Sequence, residues 1–105
     1  MTAPTHYVIF GTDAPGKLDA RVAARDAHRV YIRQPNEEGV VVVFGGPTAG
    51  EDGAMNGSLL VVQAPSIEAV RRFVAADPYS AAELFARVEI REWRAGLVRA
   101  DLLPA

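Results

Sequence analysis

Two stretches of this chain are apolar at almost every position, and two others carry apolar residues at helical spacing. The first recognisable unit, His6-Tyr7-Val8-Ile9-Phe10-Gly11, is β-rich and closed by glycine, which predicts a strand. Thr12, Asp13, Pro15 and Gly16 then form a turn signal that launches a helix. Over residues 18–34 the pattern is helical. Ala20, Ala23, Ala24, Ala27, Val30 and Tyr31 share one face, and Asp19, Asp26, Arg29 and Arg33 the opposite one. The small alanines predict that their face lies close against a sheet. Pro35-Asn36 and Gly39 end the helix and turn the chain.

Val40-Val41-Val42-Val43-Phe44 follows, with Gly45-Gly46-Pro47 as its stop signal. A loop rich in Gly, Asp and Asn leads to Ser58-Leu59-Leu60-Val61-Val62-Gln63-Ala64. A strand covered on one face should alternate; these two runs do not, so both faces of each are expected to be buried. Ser66 is placed to cap a second helix, Glu68 suits its positive end, and Ala69, Val70, Phe73 and Val74 supply its apolar stripe. Asp77-Pro78 breaks it, because the residue before proline disfavours helix. Residues 79–84 read as one or two further turns. Residues 85–94 read as a last strand, with Val88, Ile90 and Glu92 alternating against Glu89, Arg91 and Trp93. Beyond it the tail keeps Leu97, Val98, Leu102 and Leu103, and is expected to dock on its own subunit or on a partner.

The resulting order, β-α-β-β-α-β with a short extra helix, predicts an α+β, ferredoxin-like fold. Its four-stranded antiparallel sheet would carry both helices on one face. Its second face then needs a cover that the chain cannot supply, and a second copy of the same sheet is the simplest one: an isologous homodimer. At 105 residues the chain reads as one domain over 1–105, with a core over about 6–94 and a tail over 95–105.

Composition narrows the function. Half the residues are apolar, and a domain of this size commonly gains buried surface by oligomerising. There is no cysteine, which excludes disulfides, thiolate metal sites and cysteine nucleophiles. A formal charge of −2, with arginines interleaved among acids, leaves no footprint for nucleic acid. No uncharged apolar run is long enough for a bilayer, and residues 1–5 lack the signature of a secretory leader. The expectation is a cytoplasmic protein with neither nucleic acid nor membrane as partner. GxGxxG, P-loop and GxSxG motifs are missing, and His6 and His28 stand alone at non-ligand spacing. Neither a metal nor a cofactor is expected.

Taken together, several segments resemble the YCII-related (YciI-like) domain family. They are Tyr7-Val8-Ile9-Phe10-Gly11-Thr12-Asp13, Arg25-Asp26-Ala27-His28-Arg29-Val30-Tyr31, Gly45-Gly46-Pro47, Gly57-Ser58-Leu59-Leu60-Val61-Val62, Ala76-Asp77-Pro78-Tyr79 and Ile90-Arg91-Glu92-Trp93-Arg94. The resemblance runs over about residues 6–93, although the family usually has proline where Glu92 stands. It implies a dimeric α+β barrel and a histidine–aspartate pair at the active site, carried over to His28 and Asp77. One branch resembles an enzyme that removes chloride from chlorinated hydroxyquinols, and the wider barrel superfamily includes lactone isomerases and monooxygenases.

Each candidate also has a plain structural reading. His28 lies at the edge of the alanine stripe, where an imidazole suits general acid–base work or simply fills space and hydrogen-bonds a loop. Asp77 is either a helix-ending turn residue or the group that orients the His28 ring, and the two roles are compatible. Arg21 and Arg25, one and two turns before His28, would bind an anionic substrate group or stand as solvated helix charges. Ser58 and Tyr79 would border the same pocket or pack. Gly46 and Pro47 would let a ligand approach the backbone or merely end a strand. The leading functional reading is a cofactor-independent enzyme using His28 and Asp77 for proton transfer, an elimination or isomerisation, on a small organic molecule. The alternatives are a non-catalytic dimeric module that binds a small molecule or a protein, and a pure dimerisation unit.

Overall fold

In a computed structural model that describes residues 4–104, the chain forms β1 (Thr5–Asp13), α1 (Leu18–Arg33), β2 (Val41–Ala49) and β3 (Met55–Ala64). These are followed by α2 (Ile67–Ala76), the single turn α3 (Pro78–Ala81), β4 (Phe85–Trp93) and a 3-10 turn at Ala100–Leu102. Residues 1–3, part of the segment read for a leader, and residue 105 lie outside the described range. The four strands are antiparallel in the order β2-β3-β1-β4, the ferredoxin-like arrangement expected. Among the described residues no helix is long and apolar enough to cross a membrane.

Local chemistry sets the boundaries. The Ser66 hydroxyl accepts the Ala69 N–H at 3.1 Å and starts α2. Asp77 ends α2 and begins α3, where its carboxylate accepts the Tyr79 N–H at 2.9 Å and Pro78 occupies the first turn. One core results. Tyr7, Ile9, Leu60, Val62 and Ala64 of the sheet meet Ala69, Val70 and Phe73 of α2, and Tyr31 and Ile32 of α1 pack at its margin.

Two features depart from the sequence expectations. Gly45-Gly46-Pro47 does not end β2; the strand runs on to Ala49, and the reversal comes at residues 50–53, where Gly53 takes φ +82°. Pro47 is tolerated because β2 is an edge strand and has a neighbour on one side only. Gly45 is required for a different reason. A side chain there would strike the Leu60 side chain and come within 2.6 Å of the Leu59 carbonyl.

The second departure is the rotation of α1. Arg21, Ala24, Arg25, His28, Tyr31 and Ile32 turn inward, whereas Ala23, Ala27 and Val30 of the predicted alanine face are exposed. Polar partners explain this. Arg21 and His28 each meet a carboxylate inside, so their burial is compensated, while alanine offers little apolar area to drive the opposite choice. Within one chain the two apolar runs are covered unequally. β3 is central, with Leu60 and Val62 towards the helices and Val61 buried on the other face. β2 is an edge, and its Val41 and Val43 are 54% and 48% exposed within one chain.

Candidate active site

The inward face of α1 is the roof of a cavity of about 210 Å³, walled by Gly45, Gly46 and Pro47 of β2 and by Ser58 and Leu60 of β3. Its chemistry begins with His28, which is 7% exposed. Nδ1 stands 2.9 Å from both carboxylate oxygens of Asp77. Asp77 is itself held by the cap bond to the Tyr79 N–H, so the carboxylate is aimed by backbone as well as by the ring. In the neutral ring, with the carboxylate as acceptor, Nδ1 carries the proton and Nε2 is left with its lone pair. Nε2 has no protein partner among the described residues. No unpartnered side-chain nitrogen or oxygen there is sealed from solvent, so Nε2 opens to the cavity that His28 lines.

Tyr79 fixes the other dimension of the ring. Its aromatic plane stacks on His28 at 3.9 Å between centroids and 14° between planes, and it meets Phe85 edge-on at 6.0 Å. The Arg21 guanidinium lies 4.8 Å from the same Tyr79 centroid. Arg21 and His28 are two helical turns apart, about 10.5 Å of rise, so one tyrosine ring can touch both. Burial raises the Tyr79 phenol above its ordinary value and the Asp77 charge adds to this, while Arg21 and Arg25 pull the other way without prevailing.

Arg21 is the most buried charge of the site, at 1% exposure. Nε and Nη2 grip the two Asp13 oxygens at 2.7 and 2.8 Å, and Nη2 also donates to the Ser58 hydroxyl at 2.9 Å. Burial alone would lower its pKa; the hydrogen bonds and charge of Asp13 outweigh that and hold it above the ordinary arginine value. The solvated-charge reading of Arg21 is therefore corrected. It ties α1 to the end of β1 and to β3, and it supports Tyr79. Arg25 is half-buried on the cavity wall and makes no ion pair among the described residues.

The fold thus brings His28, Asp77, Tyr79, Arg21, Arg25, Ser58, Gly46 and Pro47 into one neighbourhood. Sequence reasoning missed the partner role of Asp13, taken for a turn residue; Arg29 and Arg33 are exposed, as the polar-face reading expects, and their side chains also line the cavity. Asp13 carried a usable signal, an acid at a strand end one turn before a helix that has an arginine on its inner face. His6 and Trp93 stay apart from the site. They meet edge-on at 6.3 Å on the sheet face away from the helices, where Phe44 joins Trp93 at the same distance.

The chain belongs to the YCII-related domain family, whose profile matches residues 5–94. An uncharacterized protein of Haemophilus influenzae is 29% identical over 94 residues, covering 85% of this chain and 96% of its own. Protein YciI of Escherichia coli is also 29% identical, over 93 residues, covering 84% and 95%. Among solved structures, the 5-chloro-2-hydroxyhydroquinone dehydrochlorinase of Burkholderia phenoliruptrix, in complex with 2,5-dihydroxybenzoquinone, superposes with a TM-score of 0.76 at 33% identity. The match covers 87% of this chain and 95% of that one.

Proposed function

We propose that the protein is a cofactor-independent enzyme in which His28 moves a proton on a small organic molecule and Asp77 orients the imidazole and balances the cation formed on it. The observation that carries this reading is the buried His28–Asp77 pair whose outer nitrogen opens into a cavity. Likeness to a dehydrochlorinase of the same fold supports it. In an elimination, Nε2 takes a proton from substrate, the electrons of that bond enter a new double bond, and the leaving group departs with its own pair. In an isomerisation the same nitrogen returns the proton at another carbon. In either case the cation formed on His28 is balanced by Asp77. Activity is to be sought among chlorinated hydroxyquinols, by chloride release, and among unsaturated lactones, by absorbance. His28→Ala should lower turnover by about 10²–10⁴-fold. Unchanged turnover in a folded His28→Ala protein removes the proposal.

The working unit is proposed to be a homodimer built on the helix-free sheet face. Exposed Val41, Val43 and Phe44 at the sheet edge, and Leu97, Val98, Leu102 and Leu103 in the tail, leave an apolar surface that a second copy would cover. Light scattering after size-exclusion at micromolar concentration should give twice the chain mass. A stable monomer refutes the dimer without touching the His28 chemistry.

A further inference from the structure

Arg21, Arg25, Arg29 and Arg33 follow one another at four-residue steps along α1, and all four line the same cavity. They are four of the chain's eleven basic side chains, in a protein of net charge −2. Among the described residues none of the thirteen acids lines that cavity. Outside the cavity Lys17, Arg71 and Arg99 also make no ion pair among the described residues, but the other arginines do. Arg72 pairs with Glu38 at 2.6 Å, Arg87 and Arg91 with Glu89, and Arg94 with Glu92 at 2.8 Å. Arg21 is neutralised by Asp13. Arg25 and Arg29 make no ion pair among the described residues, and Arg33 bonds only the Arg29 carbonyl, at 2.9 Å. Arg33 also stands in the last turn of α1, where the helix dipole alone favours a cation. That explanation does not extend to Arg25 and Arg29 in the helix interior. They flank His28, three residues before it and one after, and Ile32, Met55 and Leu60 give the cavity an apolar lining.

We infer that this cavity takes a small organic oxyanion, with a carboxylate or phosphate held by Arg25 and Arg29 and an apolar body against Ile32, Met55 and Leu60. The inference rests on reading the His28 cleft as the reactive site, and it narrows the substrate class of that site, favouring lactones that carry a carboxylate over the hydroxyquinols, which carry neither group. Guanidinium suits the task because its planar donors match oxyanion geometry and its charge is fixed across physiological pH. A cavity of about 210 Å³ limits the body to roughly one ring. An oxyanion anchored beside His28 would also fix which carbon or hydroxyl meets Nε2, which general-base catalysis requires.

The test is a nitrogen-15 NMR titration of the full chain with benzoate, phenyl phosphate and benzamide, the last being the neutral isostere. At least one anion should shift the Gly45 and Gly46 amides saturably and bind about tenfold or more tightly than benzamide. Raising sodium chloride from about 25 to about 250 mM should weaken that binding several-fold, because open ion pairs are screened. Arg25→Gln/Arg29→Gln should weaken it about tenfold or more, a loss of roughly 1.4 kcal/mol or more. If that variant does not fold, the isostere and salt comparisons in the parent protein decide. Equal binding of benzamide, no saturable shift with either anion, or indifference to both salt and the arginine changes overturns the inference. His28→Ala should keep anion binding while losing turnover, so failure of the proton-transfer reading is read separately from failure of this one.

Discussion

Removing either partner of the buried Arg21–Asp13 pair should unsettle the fold far more than breaking an exposed ion pair. The Arg21 and Asp13 side chains are 2% and 7% exposed, and three hydrogen bonds join Arg21 to β1 and β3. Arg21→Met leaves the Asp13 carboxylate buried without its partner, a situation that typically costs about 3–5 kcal/mol. A domain of this kind has roughly 5–15 kcal/mol in all, so about a fifth or more of the stability is at stake. Asp13→Leu strands the guanidinium instead and should cost a similar amount. Arg21→Met/Asp13→Leu removes both charges together and should return to within about 1–2 kcal/mol of the parent, because most of each single loss is an uncompensated charge. The pair Arg94–Glu92 is the internal control. Its side chains are 88% and 47% exposed, and breaking it should cost under about 1 kcal/mol. The assay is equilibrium urea unfolding with linear extrapolation, at one fixed protein concentration so that dimerisation does not shift the midpoints. A double variant that loses the sum of the two singles, or singles no worse than Arg94→Met, refutes the reasoning.

Asp77→Ala should cost about 2–4 kcal/mol, since it removes both the cap on the Tyr79 N–H and the partner of His28 Nδ1. Asp77→Asn keeps a capping oxygen and should cost about 1 kcal/mol. Equal losses in thermal unfolding would show that the cap is not what Asp77 supplies. The Tyr31 hydroxyl donates to the Phe73 carbonyl at 2.6 Å, and burial, aided by the charges of Asp77 and Glu38, raises its pKa above 10.0. The folded protein therefore holds that proton to higher pH than the unfolded chain does. Stability falls as pH climbs from about 10 through the folded value, and Tyr31→Phe should flatten part of this alkaline loss in urea midpoints measured across that range. An unchanged slope counts against it, Tyr79 being expected to supply the remainder. Gly45→Ala should destabilise by about 1–3 kcal/mol through collision with Leu60 and the Leu59 carbonyl, whereas Gly46→Ala, which meets nothing, should be nearly silent in the same melts.

The chain's own pattern determined more of the fold than of the site. Alternation of strand and helix periods, Ser66 as a cap and Asp77-Pro78 as a break sufficed for the element order and the ferredoxin-like sheet, because each is a local consequence of residue type. The resemblance of short motifs singled out His28 and Asp77, which the fold brings to 2.9 Å although they are 49 positions apart. What the sequence could not determine was the rotation of α1. A stripe of alanines outranks arginine and histidine on any hydrophobic scale, yet the helix buries Arg21 and His28 and exposes Ala23 and Ala27. The acids that make this favourable come from the end of β1 and the end of α2, and nothing within α1 announces them. The extension of β2 through Gly45 and Pro47 was hidden for a related reason, since turn-forming residues also suit an edge strand packed closely on its one neighbour. Local propensity reports the backbone preference of each residue. Whether a buried charge is tolerable depends on a partner supplied by tertiary structure, and that partner decided which face of α1 lines the cavity.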